Sequence, residues 1–143
     1  MILALNLIGF LALVLCVGGM VFFAIVVAPS VFINLDEGNA GKLIRAIFPW
    51  YYLYVIVTAT IAAGVYTFEL PYASAGFGLA SLSALYSRQI LINKINIARD
   101  AMLADSESAG HEFDRLHKLS VRLNALGLLA VISATIYVGV HSC

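Results

Sequence analysis

No charged side chain occurs between Met1 and Leu35, and between Phe48 and Tyr86 the one charged residue is Glu69. Runs of this length exceed the roughly 20 apolar residues needed to cross a bilayer core about 30 Å thick. A chain with 62% hydrophobic and 11% charged residues departs from soluble composition, about 45–50% apolar and about 25% charged, so the runs read as lipid-embedded. The first run lacks the basic flank and short apolar stretch of a signal peptide, and we expect it to be retained as a helix.

Lipid offers the backbone no hydrogen-bond partners, so spanning segments must be helices or a closed barrel. Four segments of this length cannot close a barrel of ~10-residue strands. The expectation is an all-α, integral membrane four-helix bundle, one domain over 1–143, with helices at about 2–32, 49–70, 71–104 and 108–140. Pro49 and Pro71 fit first-turn positions, where the missing N–H is harmless. Pro29 should bend or end the first helix by removing the bond to Ile25. Ala104 to Gly110 reads as the turn between the last two helices.

Eight Lys and Arg balance eight Asp and Glu, which excludes the basic bias of a nucleic-acid binder. Their placement is more informative. Lys42 and Arg45 follow the first helix, and Arg88, Lys94, Arg99, Arg115, Lys118 and Arg122 flank the connection between helices three and four. The positive-inside rule then places loops 36–46 and 99–112 in the cytoplasm and both termini outside, in a multi-pass protein of the plasma (inner) membrane. Trp50, Tyr51, Tyr52, Tyr54 and Tyr86 would anchor the inner interface, and Tyr66, Tyr72 and Tyr137 the outer one.

Cys16 within helix one and Cys143 at the far end of helix four are too distant to pair. Cys16 with Met20, and His141 with Cys143, each offer two soft ligands, too few for a metal site. Gly76, Ala80 and Ala84, and Ala59 with Ala63, recur at four-residue spacing and permit close helix approach. The Gly18–Gly19 pair interrupts helix one.

Two polar stripes stand out. Gln89, Asn93, Asn96 and Asp100 lie on one face of helix three, and Asp114, His117, Ser120 and Asn124 on one face of helix four. Depth counted at ~1.5 Å per residue levels Gln89 with Asn124, Asn93 with Ser120, Asn96 with His117, and Asp100 with Asp114. The stripes predict a cytoplasmic hairpin extension of helices three and four, its seam joined by side-chain hydrogen bonds. The same seam is a ligand-binding candidate, with His117 as proton carrier or metal ligand. One Asp-x-x-His motif falls short of the doubled motif of bundle di-metal sites, so no metal and no cofactor are expected. Arg45, Arg88, Lys118 and Arg122 are candidates for an anionic headgroup. Nothing resembles a nucleophile elbow, P-loop or HExxH, and the expectation is not an enzyme.

The segments Ala28-Pro29-Ser30-Val31-Phe32, Phe48-Pro49-Trp50-Tyr51-Tyr52 and Phe113 to Asn124, with its Leu-His-x-x-Ser-x-x-x-Asn run, resemble the transmembrane-protein-205-like family, also catalogued as domain of unknown function 4149. The resemblance implies a four-helix membrane protein and singles out His117, Ser120 and Asn124. A eukaryotic relative's association with platinum resistance implies handling of soft metals or small solutes, although this chain lacks a thiol-rich or methionine-rich path.

Two functions follow as expectations. One is a protein that binds lipid or a small ligand or serves as accessory subunit of a membrane complex; the other is an oligomeric transporter or channel-like protein for small solutes or soft metal ions. Partners would be membrane lipids and a second copy or a complex subunit, not nucleic acid. The small hydroxyls Thr58, Thr60, Ser81, Ser83, Ser133 and Thr135, which can bond their own helices, leave the outer half without an aqueous path and favour binding. The topology is tested by an impermeant maleimide on intact cells. A cysteine at Ser106, in a background lacking Cys143, should stay unlabelled; labelling would reverse the orientation.

Overall fold

A computed structural model describes residues 2–104 and 107–141. Every regular element among the described residues is helical. α1 covers residues 2–34 as an α segment Ile2–Phe22, a π turn Phe23–Val27 and an α segment Ala28–Asn34. α2 is Glu37–Tyr66. α3 covers residues 71–103, again with a π turn, Ser87–Leu91, between Pro71–Tyr86 and Ile92–Leu103. α4 is Glu107–His141. Each helix packs on the next and α4 returns to α1, closing an antiparallel bundle.

Three helices are long and apolar enough to cross a membrane, Leu3–Asn34, Glu37–Tyr66 and Ala109–His141. Their outward side chains are large and apolar, including Phe10, Phe22, Ile25, Leu79, Leu126 and Ile136. A surface of that kind far exceeds the few hundred Å² of contiguous apolar patch that soluble monomers expose. The chain is an integral membrane protein.

The interior is built from small side chains. Cys16, Ala59, Ala62, Ala73 and Ala80 are buried in one cluster around Val55, Phe77 and Val131. A Cβ on Gly76 would lie 2.9 Å from Ala134 Cβ and 3.1 Å from the Ala130 carbonyl oxygen, so the small-residue stripe of α3 is where α4 comes closest. Thr58 and Thr135 bond carbonyls of their own helices at 2.8 Å. Thr60 instead reaches Ser81 across α2 and α3, also at 2.8 Å.

Several expectations are corrected. α2 begins at Glu37, not near Pro49, so residues 36–46 are not a loop. Asp36 is the cap: its carboxylate accepts from Asn39 N at 3.0 Å and Asn39 Nδ2 at 2.6 Å, bonds that hold its pKa below the ordinary carboxylate value. Helix formation at Glu37 overrides the two glycines at 38 and 41, and Pro49 lies inside the helix. Pro29 does not end α1. In the π turn just before it the Ala28 N–H donates to the Phe23 carbonyl, and this wider turn takes up the register change that a proline ring otherwise forces on the preceding carbonyl.

Gly18 and Gly19 do not interrupt α1 either. Gly19 makes room for the Tyr54 ring, whose hydroxyl donates to the Leu15 carbonyl. Trp50 and Tyr72 face outward as anchors would, but Tyr52 and Tyr66 are buried and Tyr51 stacks on Phe23. Helix two spends these rings on packing because they fall on its bundle face. α4 starts at Glu107, so Glu107 to Gly110 belongs to the helix; Asp105 and Ser106 of the expected turn, and Cys143 with the His141–Cys143 pair, lie outside the described residues.

The two glycines give a paired test. Gly18 has nothing within 4 Å of a built Cβ, whereas a Cβ on Gly19 overlaps the Tyr54 ring. Gly19→Ala should cost about 1–3 kcal/mol by overpacking and Gly18→Ala nothing, as read by thermal unfolding in detergent. Equal losses would refute the tyrosine contact.

Candidate ligand-binding site

α2 carries Gly41, Arg45, Phe48 and Tyr52 at spacings of four, three and four, a single face of a helix. That face, Ile92, Ile95, Asn96 and Arg99 of α3, and Phe113, His117, Ser120, Val121 and Asn124 of α4 enclose a cavity of about 140 Å³; Ile44 completes the wall. A shallower groove of about 370 Å³ adjoins it, lined by Glu37, Gly38, Lys42, Asp100 and Leu103 and sharing Gly41, Arg45 and Arg99. The two guanidinium groups therefore stand where groove and cavity meet.

Both are positioned by neighbours. Arg45 Nη2 donates to Asp100 Oδ1 at 2.6 Å and to the Asn96 carbonyl at 3.4 Å, with Nη1 to Asp100 Oδ2 at 3.4 Å. This bond holds the Asp100 carboxyl below its ordinary pKa. Arg99 Nη2 donates to the Glu37 carbonyl at 3.1 Å, and its guanidinium lies flat over Gly41, where any Cβ would collide with it. A guanidinium has five donors, so each retains donors for a ligand.

The inner end is a hydrogen-bonded trio. Asn124 Nδ2 donates to Tyr52 Oη at 2.8 Å and to the Ser120 carbonyl at 3.1 Å, and Tyr52 Oη lies 3.2 Å from Ser120 Oγ. Beyond it the bundle is filled by fully buried side chains such as Phe77, Val55 and Val131.

Of the eight residues in the two stripes, Asn96, His117, Ser120 and Asn124 line the cavity and Asp100 the groove. Gln89, Asn93 and Asp114 line neither. Asn93 Nδ2 bonds the Gln89 carbonyl of its own helix at 3.2 Å, and Asp114 pairs with Lys118 at 2.6 Å. Among the described residues no side-chain hydrogen bond joins the two stripes. The α3–α4 seam is apolar instead, formed by Leu91, Ala98 and Leu116 with Ile95, Phe113 and Leu123. Asp100, Ser120 and Asn124 instead turn toward Arg45 and Tyr52 of α2, which runs alongside as a third helix of the extension.

The four cations taken as headgroup candidates do not gather at the cavity. Arg45 lines the cavity, but Arg88 Nε donates to the Pro49 carbonyl at 3.1 Å, Lys118 is held by Asp114, and Arg122 lies on the exposed face of α4. His117 stacks on Phe113, ring centroids 5.8 Å apart. Among the described residues no three His, Cys, Asp or Glu side chains gather as a metal site. Gly41, Tyr52 and Arg99 are not among the site residues read from the sequence, where Tyr52 is an interface anchor and Arg99 a flanking cation. Asp36 followed by Glu37 is the signal for the first two, since a helix starting there places Gly41 and Tyr52 on one face with Arg45; no sequence signal marks Arg99.

Residues 11–102 match the family model described as "Domain of unknown function (DUF4149)". The chain belongs to this family. The match spans α1 to α3, so the DUF4149 region supplies Gly41, Arg45, Tyr52, Asn96 and Arg99, while the cavity wall from α4 lies beyond it. No curated protein and no solved structure gives a significant match.

Tyr52→Phe in this DUF4149 protein removes the acceptor of Asn124 and the partner of Ser120. Hydrogen bonds inside membrane proteins average ~0.6 and reach ~1.7 kcal/mol, so unfolding in detergent should show a loss of about 1–2 kcal/mol. An unchanged transition would detach the trio from the fold.

Proposed function

We propose that this membrane protein binds an anionic amphiphile at its basic end. The observation that carries the reading is the placement of Arg45 and Arg99 at the junction of an apolar-walled cavity and an open groove. Guanidinium groups match carboxylate and phosphate geometry, both of these line the open groove, and the exposed Leu103 beside them suits an attached apolar body. The packed core beyond Tyr52 supports binding over conduction through one copy, and the chemistry offered is recognition without catalysis.

All eight Lys and Arg fall in the half of the bundle where α1 finishes and α4 starts, and by the positive-inside rule that half faces the cytoplasm of the inner membrane. The finer likeness to transmembrane-protein-205-like proteins belongs to the same proposal: His117, Ser120 and Asn124 of its most specific run all line the cavity. Anionic phospholipid gives the cytoplasmic leaflet its negative surface potential and attracts basic segments there.

The test is titration of the purified protein in nanodiscs with phosphatidylglycerol and phosphatidylcholine, followed by native mass spectrometry. Phosphatidylglycerol should be retained preferentially, and Arg99→Gln should weaken it tenfold or more, since hydrogen bonds to charged groups contribute about 1.5–3 kcal/mol. Equal retention of both lipids by the original and variant proteins would overturn the lipid form of the reading.

A further inference from the structure

The inner cavity is far smaller than an acyl chain. An apolar cavity of about 150 Å³ accommodates benzene, and this one holds about 140 Å³. A lipid headgroup can lie in the groove, but the cavity itself takes a body of about six carbons. Rings of Phe48, Tyr52, Phe113 and His117 line it, and aromatic walls favour offset or edge contacts with another ring.

Its two ends are polar in different ways. The outer end presents Arg45 and Arg99. At the inner end the Asn124 amide donates to Tyr52 Oη and to the Ser120 carbonyl, and the Tyr52 and Ser120 hydroxyls share one hydrogen bond. Two hydroxyls bring two protons and that bond uses one; whichever donates, the other proton has no acceptor among the described residues. Ser120 and Tyr52 both line the cavity, so the inner end offers a donor. Arg45 and Tyr52 are seven residues apart on α2, about 10 Å along its axis, enough for a ring with a polar group at each end.

Resting on the anion-binding reading above, we infer that the cavity binds a small aromatic carboxylate whose ring carries a hydrogen-bond acceptor opposite the carboxylate. The carboxylate meets the guanidinium pair, the ring fills the space between Phe48 and Phe113, and the acceptor takes the spare hydroxyl proton.

The probe is 4-hydroxybenzoate, titrated calorimetrically into the protein in nanodiscs, with benzoate and inorganic phosphate as comparators. We expect 4-hydroxybenzoate to bind, phosphate to bind at least tenfold more weakly, and Arg99→Gln to reduce 4-hydroxybenzoate affinity at least tenfold. Ser120→Ala should narrow its preference over benzoate. Ile95→Phe should fill the cavity and abolish binding of the ring anions while phosphatidylglycerol retention, which also reports folding, persists. Phosphate binding as tightly as 4-hydroxybenzoate, or Ile95→Phe leaving the aromatic anion unaffected, would overturn the inference. Phosphatidylglycerol retention with no binding of either benzoate would overturn it and leave the lipid reading standing; no binding of lipid or aromatic anion would remove both.

Discussion

Lipid cannot hydrogen-bond to a peptide group, so every irregularity in a spanning helix has to be satisfied by the protein itself. Three irregularities meet at one level of this bundle. The π turn of α1 brings Phe23 onto Tyr51, ring centroids 4.1 Å apart. Pro49, inside α2, has no N–H to give the Arg45 carbonyl. The π turn of α3 carries Arg88, whose Nε donates to the Pro49 carbonyl at 3.1 Å. Ring stacking and a charged donor thus brace the level at which regular helix packing is disturbed.

That level divides the bundle. On one side, Ala59, Ala62, Ala73 and Ala80 let the helices close on one another until Cys16, Phe77 and Val131 have essentially no exposure. On the other, the facing positions carry Phe48, Ile92, Ile95 and Phe113, which hold the helices apart. Rings and branched side chains of that size cannot interdigitate as closely as alanines, and the space between them is the cavity. The cavity is a consequence of where the small-residue pattern stops.

The fold was legible because charge is so costly in lipid: the uncharged run to Leu35, the single Glu69 between Phe48 and Tyr86 and the eight clustered cations fix four helices and gather the basic residues at one end. The site was only half legible. Five of the eight stripe residues line the cavity or the groove, but with α2 starting at Pro49 there was no third helix for them to meet, and a seam between the two was the natural partner. Depth counting at constant rise also ignores π turns, and α3 contains one at Ser87–Leu91, just where the stripe begins. Arg88 and Arg45 looked alike in sequence; only the structure distinguishes the cation bound to a proline carbonyl from the one facing a cavity.

Charge balance around the guanidinium pair narrows what the site accommodates. Lys42, Arg45 and Arg99 face Glu37 and Asp100 around the groove, an excess of one positive charge. Asp100 is engaged by two nitrogens of Arg45 and has its pKa lowered by that bond, so its stabilising contribution is present at neutral pH and is lost only as acid titrates it below the ordinary carboxylate range. The ion pair is exposed, and exposed pairs contribute little to stability; its effect is geometric, fixing Arg45 against α3 while Gly41 seats Arg99. A monoanion neutralises the excess without displacing Asp100, whereas a dianion leaves a net negative charge beside apolar walls. The arrangement therefore complements the singly charged ligand proposed above, independently of the size limit set by the cavity.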